Sequence, residues 1–193
     1  MRNLLLFLML FSFTNILFAK ENIMSANITK VKMTTSLGDI IIAVDNENAP
    51  ISAANFLTYV KEGFYNGTIF HRVIPGFMAQ AGGFDTDFNE KRSHDQIKNE
   101  ADNGLKNNRA TLAMARTNVP DSASSQFFIN YKDNDSLNYT SPTAQGWGYA
   151  VFAEVIEGME VVDAMSEQPT GSNGHHQDVP KTNIVIETAE IVE

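Results

Sequence analysis

Two stretches of the chain concentrate residues able to do chemistry. Phe70-His71-Arg72-Val73-Ile74-Pro75-Gly76-Phe77-Met78-Ala79-Gln80 places a basic residue, an aromatic ring, a thioether and an amide around one Pro-Gly turn. Arg72 and Phe77 flank that turn, so both side chains can face a single concave surface. The second stretch is Met114-Ala115-Arg116 followed by Ser124-Ser125-Gln126-Phe127-Phe128-Ile129-Asn130. A hydrolase built on Ser124 or Ser125 with His71 as its base ranks far below other readings, because no nucleophile-elbow motif surrounds either serine. The chain has no cysteine, which excludes thiolate catalysis, a disulfide framework and cysteine-based zinc sites. His175, His176 and Asp178 are of metal-binding type. However, residues 171–178 are polar and Gly-rich and read as a solvated loop, and structural zinc wants about four ligands at set spacing.

The elements that must position these residues are mostly short and extended. Residues 28–35 alternate, with Val31 and Met33 on one face and Lys30 and Lys32 on the other, the period-two pattern of a half-buried strand. Ser36-Leu37-Gly38-Asp39 reads as a tight turn and residues 40–44 as the returning strand. Pro50 is pre-set for the first turn of a helix that carries Phe56, Leu57 and Val60 on one side and stops near Gly63. Apolar stretches follow at 68–73, 110–114, 126–129 and 149–152. Met159, Val162 and Met165 have the spacing of one helix face, and 184–192 is again strand-like. Many short strands with only two helices predict a mainly β fold, a closed or nearly closed antiparallel barrel.

Composition fits one domain. Residues 1–19 hold Arg2 as their only charge, then a largely apolar run ending at the small residue Ala19, the three-part pattern of a secretory signal peptide. Residues 20–27 read as a flexible lead-in and 28–193 as the folded domain. Removing 19 of the 193 residues leaves 174, with 13 basic against 23 acidic side chains and a net charge of −10. That acidic balance argues against nucleic acid as a partner, since phosphate neutralisation needs clustered Lys and Arg.

At the two dense stretches the sequence resembles the cyclophilins, a family of peptidyl-prolyl cis-trans isomerases. F-H-R-V-I-P-G-F-M-A-Q matches the family's central signature almost unchanged, and S-Q-F-F-I and G-Y-A-V-F match two further blocks in the expected order. The likeness runs from about Val31 to Ile191. K-N-E-A-D-N-G-L and G-Y-A-V-F look most like the bacterial secreted branch. The resemblance implies an eight-stranded antiparallel barrel capped by two helices, no cofactor and no metal. It also implies proline-containing unfolded or exposed polypeptide segments as partners, a monomer, and a periplasmic location without stable membrane insertion once the leader is removed. Carried over position by position, Arg72 is the catalytic residue, supported by Gln80. Phe77, Met78, Phe128 and Leu137 form the wall around the substrate proline. Gln80 and Gln126 match polar residues that hydrogen-bond the substrate backbone or position the arginine. Ala115 and Arg116 lie beside the residue preceding proline, and Tyr149 stands where animal and plant members carry histidine.

The physical case runs beside that likeness. Amide resonance sets a rotation barrier of ~18–20 kcal/mol, and uncatalysed X–Pro exchange takes tens to hundreds of seconds. No bond breaks, so the task is to bind the twisted amide better than either planar form. In the twisted state the proline nitrogen regains a lone pair that a fixed guanidinium can meet. His71 is a tempting general base, but isomerisation abstracts no proton and a hydrogen-bonded structural role is expected. A proline-binding module without turnover is the rival reading, and Arg72 together with Phe77, Gln80 and Phe128 argues against it. Ser136 stands where animal members place a tryptophan that contacts cyclosporin, so weak cyclosporin sensitivity is expected. Trp147, after the loop 138–148, is placed to fold back over the pocket rim. Arg116 replaces an asparagine common in animal members and doubles the basic character near the pocket.

Overall fold

A computed structural model describes residues 27–193. The expected leader (1–19) and all of the lead-in except Asn27 lie outside the described residues. Strand β1 (Ile28–Thr35) turns through Ser36-Leu37 into β2 (Gly38–Asp45), with Thr35 paired to Gly38. Val31 and Met33 are fully buried, while Lys32 on the other face meets Asp39 at 2.8 Å. Helix α1 (Pro50–Lys61) begins at its proline and has no side-chain cap of its own. The distant Glu100 carboxylate supplies the missing acceptor, taking hydrogen bonds from the Ile51 and Ser52 N–H groups at 3.0 and 2.7 Å.

The remaining elements are β3 (Thr68–Ile74), β4 (Met78–Asp85), β5 (Thr111–Met114), β6 (Phe127–Asn130), β7 (Val151–Glu157), α2 (Met159–Ser166), β8 (Thr170–Asn173), β9 (His176–Pro180) and β10 (Val185–Val192). Eight of the strands close an antiparallel barrel in the order β1-β10-β3-β4-β6-β5-β7-β2, the expected architecture. Its interior is aromatic. Phe127 meets the rings of Phe56, Tyr65 and Phe70 edge-on, at centroid distances of 5.5, 5.4 and 6.4 Å. Phe56 comes from α1, so that helix closes the barrel by contributing to its core.

Two elements differ from the pattern reading. The sequence pattern gives no strand over 78–85, because Met-Ala-Gln-Ala-Gly-Gly is poor in the β-branched residues that announce one. It forms β4 because β3 and β6 pair with it on both sides. The expected loop at 171–178 is instead the hairpin β8–β9, a separate two-stranded sheet. Its turn is Gly174-His175, with Gly174 at φ +57, the residue a two-residue hairpin turn asks for at its first position. The segment is solvated as expected, with residues 172–177 exposed, but it is ordered by pairing.

Candidate active site

The barrel's register builds the site on the outer face of adjoining strands. In an antiparallel sheet, residues directly opposite each other share a face. Arg72 of β3 opposes Gln80 of β4, Gln80 opposes Phe128 of β6, and Phe128 opposes Ala113 of β5. A single row thus carries a guanidinium, an amide and an aromatic ring over successive strands spaced ~4.8 Å apart. A register shift in β3 between Phe70 and Arg72 makes this possible. Phe70 and His71 are both buried there, and Arg72 emerges exposed, as a bulge that re-aims the following side chain would produce.

Beside the row, the Pro75-Gly76-Phe77 turn delivers Phe77, and Met78 opens β4. Leu137 comes from the 3-10 turn Asp135–Leu137, and Tyr149 precedes β7. The Tyr149 N–H donates to the Leu137 carbonyl at 2.9 Å, and its ring meets Phe128 at 5.6 Å, nearly perpendicular. These side chains enclose a pocket of about 120 Å³ that Arg72, Gln80, Ala115 and Arg116 complete. Its floor is a small hydrophobic cluster of Met78, Ala113, Phe128 and Val151, separate from the barrel core. Nine of the ten predicted site residues therefore line one hollow. The tenth, Gln126, lies next door and accepts a hydrogen bond from the Gln80 amide at 2.8 Å. Both amides also line an adjoining open cleft of about 700 Å³, with Arg116, Glu90 and Asp95 further along it.

Arg116 is more occupied than the sequence suggested. Its Nε donates to the Gly148 carbonyl at 2.7 Å, its Nη1 donates to the Thr117 carbonyl at 2.8 Å, and its guanidinium covers the Tyr149 ring at 4.7 Å. It braces the wall that holds Tyr149 as well as adding charge. Trp147 does not fold over the rim: it packs edge-on against Tyr139 at 5.3 Å and is absent from the pocket lining.

His71 lies beneath this surface with its ring 4.7 Å from Phe84. Burial pushes its pKa down to about 4, with the charges of His176 and Arg72 acting in the same direction. Its Nδ1 has no hydrogen-bond partner, and no hydrogen bond joins it to Ser124 or Ser125 among the described residues. Those serines are tied into the fold through their carbonyls, which accept from Asn55 Nδ2 and the Tyr65 hydroxyl. The geometry thus favours a structural His71 over a general base. His176 packs against Phe84 and Phe88 at 5.2 and 5.0 Å.

Asp178, read from the sequence only as part of a solvated loop, stands beside the site. Asp178 of β9 places Oδ2 3.8 Å from Arg72 Nε. Only tertiary pairing joins the two; along the chain Asp178 is one carboxylate in a polar stretch.

Comparison with known proteins agrees with this geometry. The family model described as "Cyclophilin type peptidyl-prolyl cis-trans isomerase/CLD" matches residues 30–191. The chain is 55% identical over 163 residues to peptidyl-prolyl cis-trans isomerase B of Escherichia coli (strain K12), covering 84% of this chain and 99% of that protein. It is 58% identical over 163 residues to a peptidyl-prolyl cis-trans isomerase of Acinetobacter baylyi (strain ATCC 33305 / BD413 / ADP1), covering 84% and 85%. Among solved structures it resembles a cyclophilin type isomerase of Cryptosporidium parvum, with a TM-score of 0.67 and 28% identity over 86% of this chain and 98% of that one. A further structure of that protein, obtained in the presence of the dipeptide Ala-Pro, gives a TM-score of 0.65 at 28% identity, covering 85% and 99%. The chain belongs to the cyclophilin-type peptidyl-prolyl cis-trans isomerases. Its activity is accordingly the isomerisation of peptidyl-prolyl bonds.

Proposed function

We propose that the pocket holds the substrate proline ring while Arg72 stabilises the twisted amide, and that the enzyme assists folding of exported proteins. The carrying observation is the row Arg72–Gln80–Phe128, which sets the guanidinium across from an apolar hollow of about 120 Å³. That volume is small beside the ~300–1,000 Å³ of pockets for larger ligands and suits one five-membered ring. Phe77, Met78, Phe128, Leu137 and Tyr149 fix the ring. Gln80 and Gln126, joined to each other, present amide groups to the substrate backbone, and Ala115 and Arg116 flank the residue before proline.

With the ring fixed, rotation moves only the preceding carbonyl. Arg72 then donates to the proline nitrogen as its lone pair develops. A hydrogen bond to a charged group is worth about 1.5–3 kcal/mol, or ten- to a hundredfold in rate. The pocket's orienting effect supplies the remainder.

Export rests on the pattern of residues 1–19: a basic start, an apolar run and a small residue. The proposed location is the periplasm, and the clients are proline-containing segments of proteins still folding there. The test is to express the full chain in a Gram-negative host, sequence the N-terminus of the periplasmic product, and measure refolding of a proline-limited exported protein with catalytic amounts of it. A new N-terminus near Lys20 and an accelerated slow phase are expected. Retention in the cytoplasm with residues 1–19 intact contradicts the export reading, and an unchanged slow phase contradicts the folding role. Ser136, exposed on its turn, leaves the pocket without a tryptophan at that edge, so cyclosporin should inhibit weakly. Nanomolar inhibition contradicts that reading.

A further inference from the structure

Arg72 stands alone on its strand: among the described residues its guanidinium has one charged partner, Asp178, and no side-chain hydrogen bond. Two irregularities in the backbone aim these side chains at each other. In β3 the register shifts between Phe70 and Arg72. In the β8–β9 hairpin, Asn173 pairs with His176 but Gly171 pairs with Val179, so the β9 side holds an additional residue between the two pairs. Asp178 lies within that interval at φ +61, a left-handed conformation that side-chain-bearing residues rarely adopt. Such a conformation persists where the surroundings enforce it, and it is worth a functional question. Here Val179 and Pro180 are buried immediately after it, and the His176 ring, two residues before it, lodges against Phe84 and Phe88.

We propose that Asp178 is a positioning residue that holds the Arg72 guanidinium by its Nε edge, leaving the two terminal nitrogens to face the proline pocket. The inference rests on the reading of Arg72 given above and adds what orients it. Arg72 lines both the proline pocket and a side groove walled by Asp178, His176 and Phe84, so that, with Gln80, it stands between the two hollows. At 3.8 Å, and with both side chains about two-fifths exposed, the pair restricts the guanidinium without neutralising it in a buried contact. The hairpin thus acts on the reaction without touching substrate.

The test compares Asp178→Asn, Asp178→Glu and Asp178→Gly, each alone, and Asp178→Asn again in an Arg72→Ala background. Turnover, KM and thermal unfolding are measured, and the Arg72 Nε–Hε resonance is followed by NMR. Asp178→Asn should lower kcat about threefold, the scale of a half-exposed ion pair, with KM little changed and the Nε–Hε resonance shifted. Asp178→Glu should recover part of the loss. Asp178→Gly relieves the left-handed backbone, so its melting temperature should hold or rise while its activity falls like that of Asp178→Asn. In the Arg72→Ala background, Asp178→Asn should cost nothing further. Wild-type kcat in Asp178→Asn, or an equal loss in the Arg72→Ala background, overturns the role of Asp178 while leaving Arg72's in place. Full turnover in Arg72→Ala overturns the reading of Arg72 and this inference with it.

Discussion

Phe127 and Phe128 are consecutive in β6, equally apolar and almost equally buried, at 0% and 4% exposure, yet they belong to different regions. Phe127 points into the barrel, where Phe56, Tyr65 and Phe70 surround it. Phe128 points outward into a cluster with only three other buried residues, completed by Phe77, Leu137 and Tyr149 from turns and loops. The inner cluster is closed by strands and by both helices, α2 adding Val162 and Met165. The outer one is left open, and its opening is the pocket. Burial alone therefore does not separate an aromatic of the barrel core from one that lines the pocket. The strand's two-residue period does, because it assigns adjacent residues to opposite faces.

Deleting the two rings should break the molecule in different ways. Phe127→Ala creates a void in a closed core and should lower unfolding stability by about 3–5 kcal/mol, measured by denaturant titration. Phe128→Ala enlarges an existing hollow, so about 1.5–3 kcal/mol of lost burial is expected, with kcat/KM reduced about tenfold for a proline peptide. Equal stability losses and unchanged activity in Phe128→Ala would erase the distinction.

His71 tests the boundary between the two regions. Its pKa is near 6.5 in the unfolded chain and about 4 in the folded protein, so between those values the unfolded state binds the extra proton. The neutral buried ring thus contributes its full stability above the unfolded pKa. That contribution falls with pH and is gone below about 4, a change of about 3 kcal/mol. His71→Gln should remove this component, visible as a shallower pH dependence of unfolding between pH 7.5 and 4. Parallel curves for the two proteins would contradict the burial.

The smallest effect is expected at Gly83. A Cβ there would stand 2.6 Å from the Gln126 side-chain amide. That flexible end can move aside, so Gly83→Ala should fold normally while losing the Gln80–Gln126 hydrogen bond. About a threefold loss of kcat/KM follows from one neutral hydrogen bond, and a fully active Gly83→Ala would show the amide pair to be dispensable.

These contrasts also mark what could be read from the chain alone. The barrel class followed from strand alternation at Val31 and Met33 and from short apolar runs. The residues that meet at the pocket followed from the family resemblance, in which Arg72, Phe77, Gln80 and Phe128 stand in recognisable order. The strand over 78–85 stayed hidden because alanine and glycine there serve close packing, as the tight surroundings of Gly82 and Gly83 show. The pairing of Asp178 with Arg72 stayed hidden because it is created by a hairpin packed beside β3, a tertiary event with no local pattern.

The central claim is that the guanidinium acts on the twisted amide while the outer cluster holds the ring. The most direct test measures, for wild type and Arg72→Ala, both kcat/KM in a coupled proline-isomerisation assay and the affinity for the same proline peptide. The expected result is a ten- to hundredfold loss of kcat/KM with a much smaller loss of affinity. Equal losses in the two quantities would make Arg72 a binding residue alone and contradict the account.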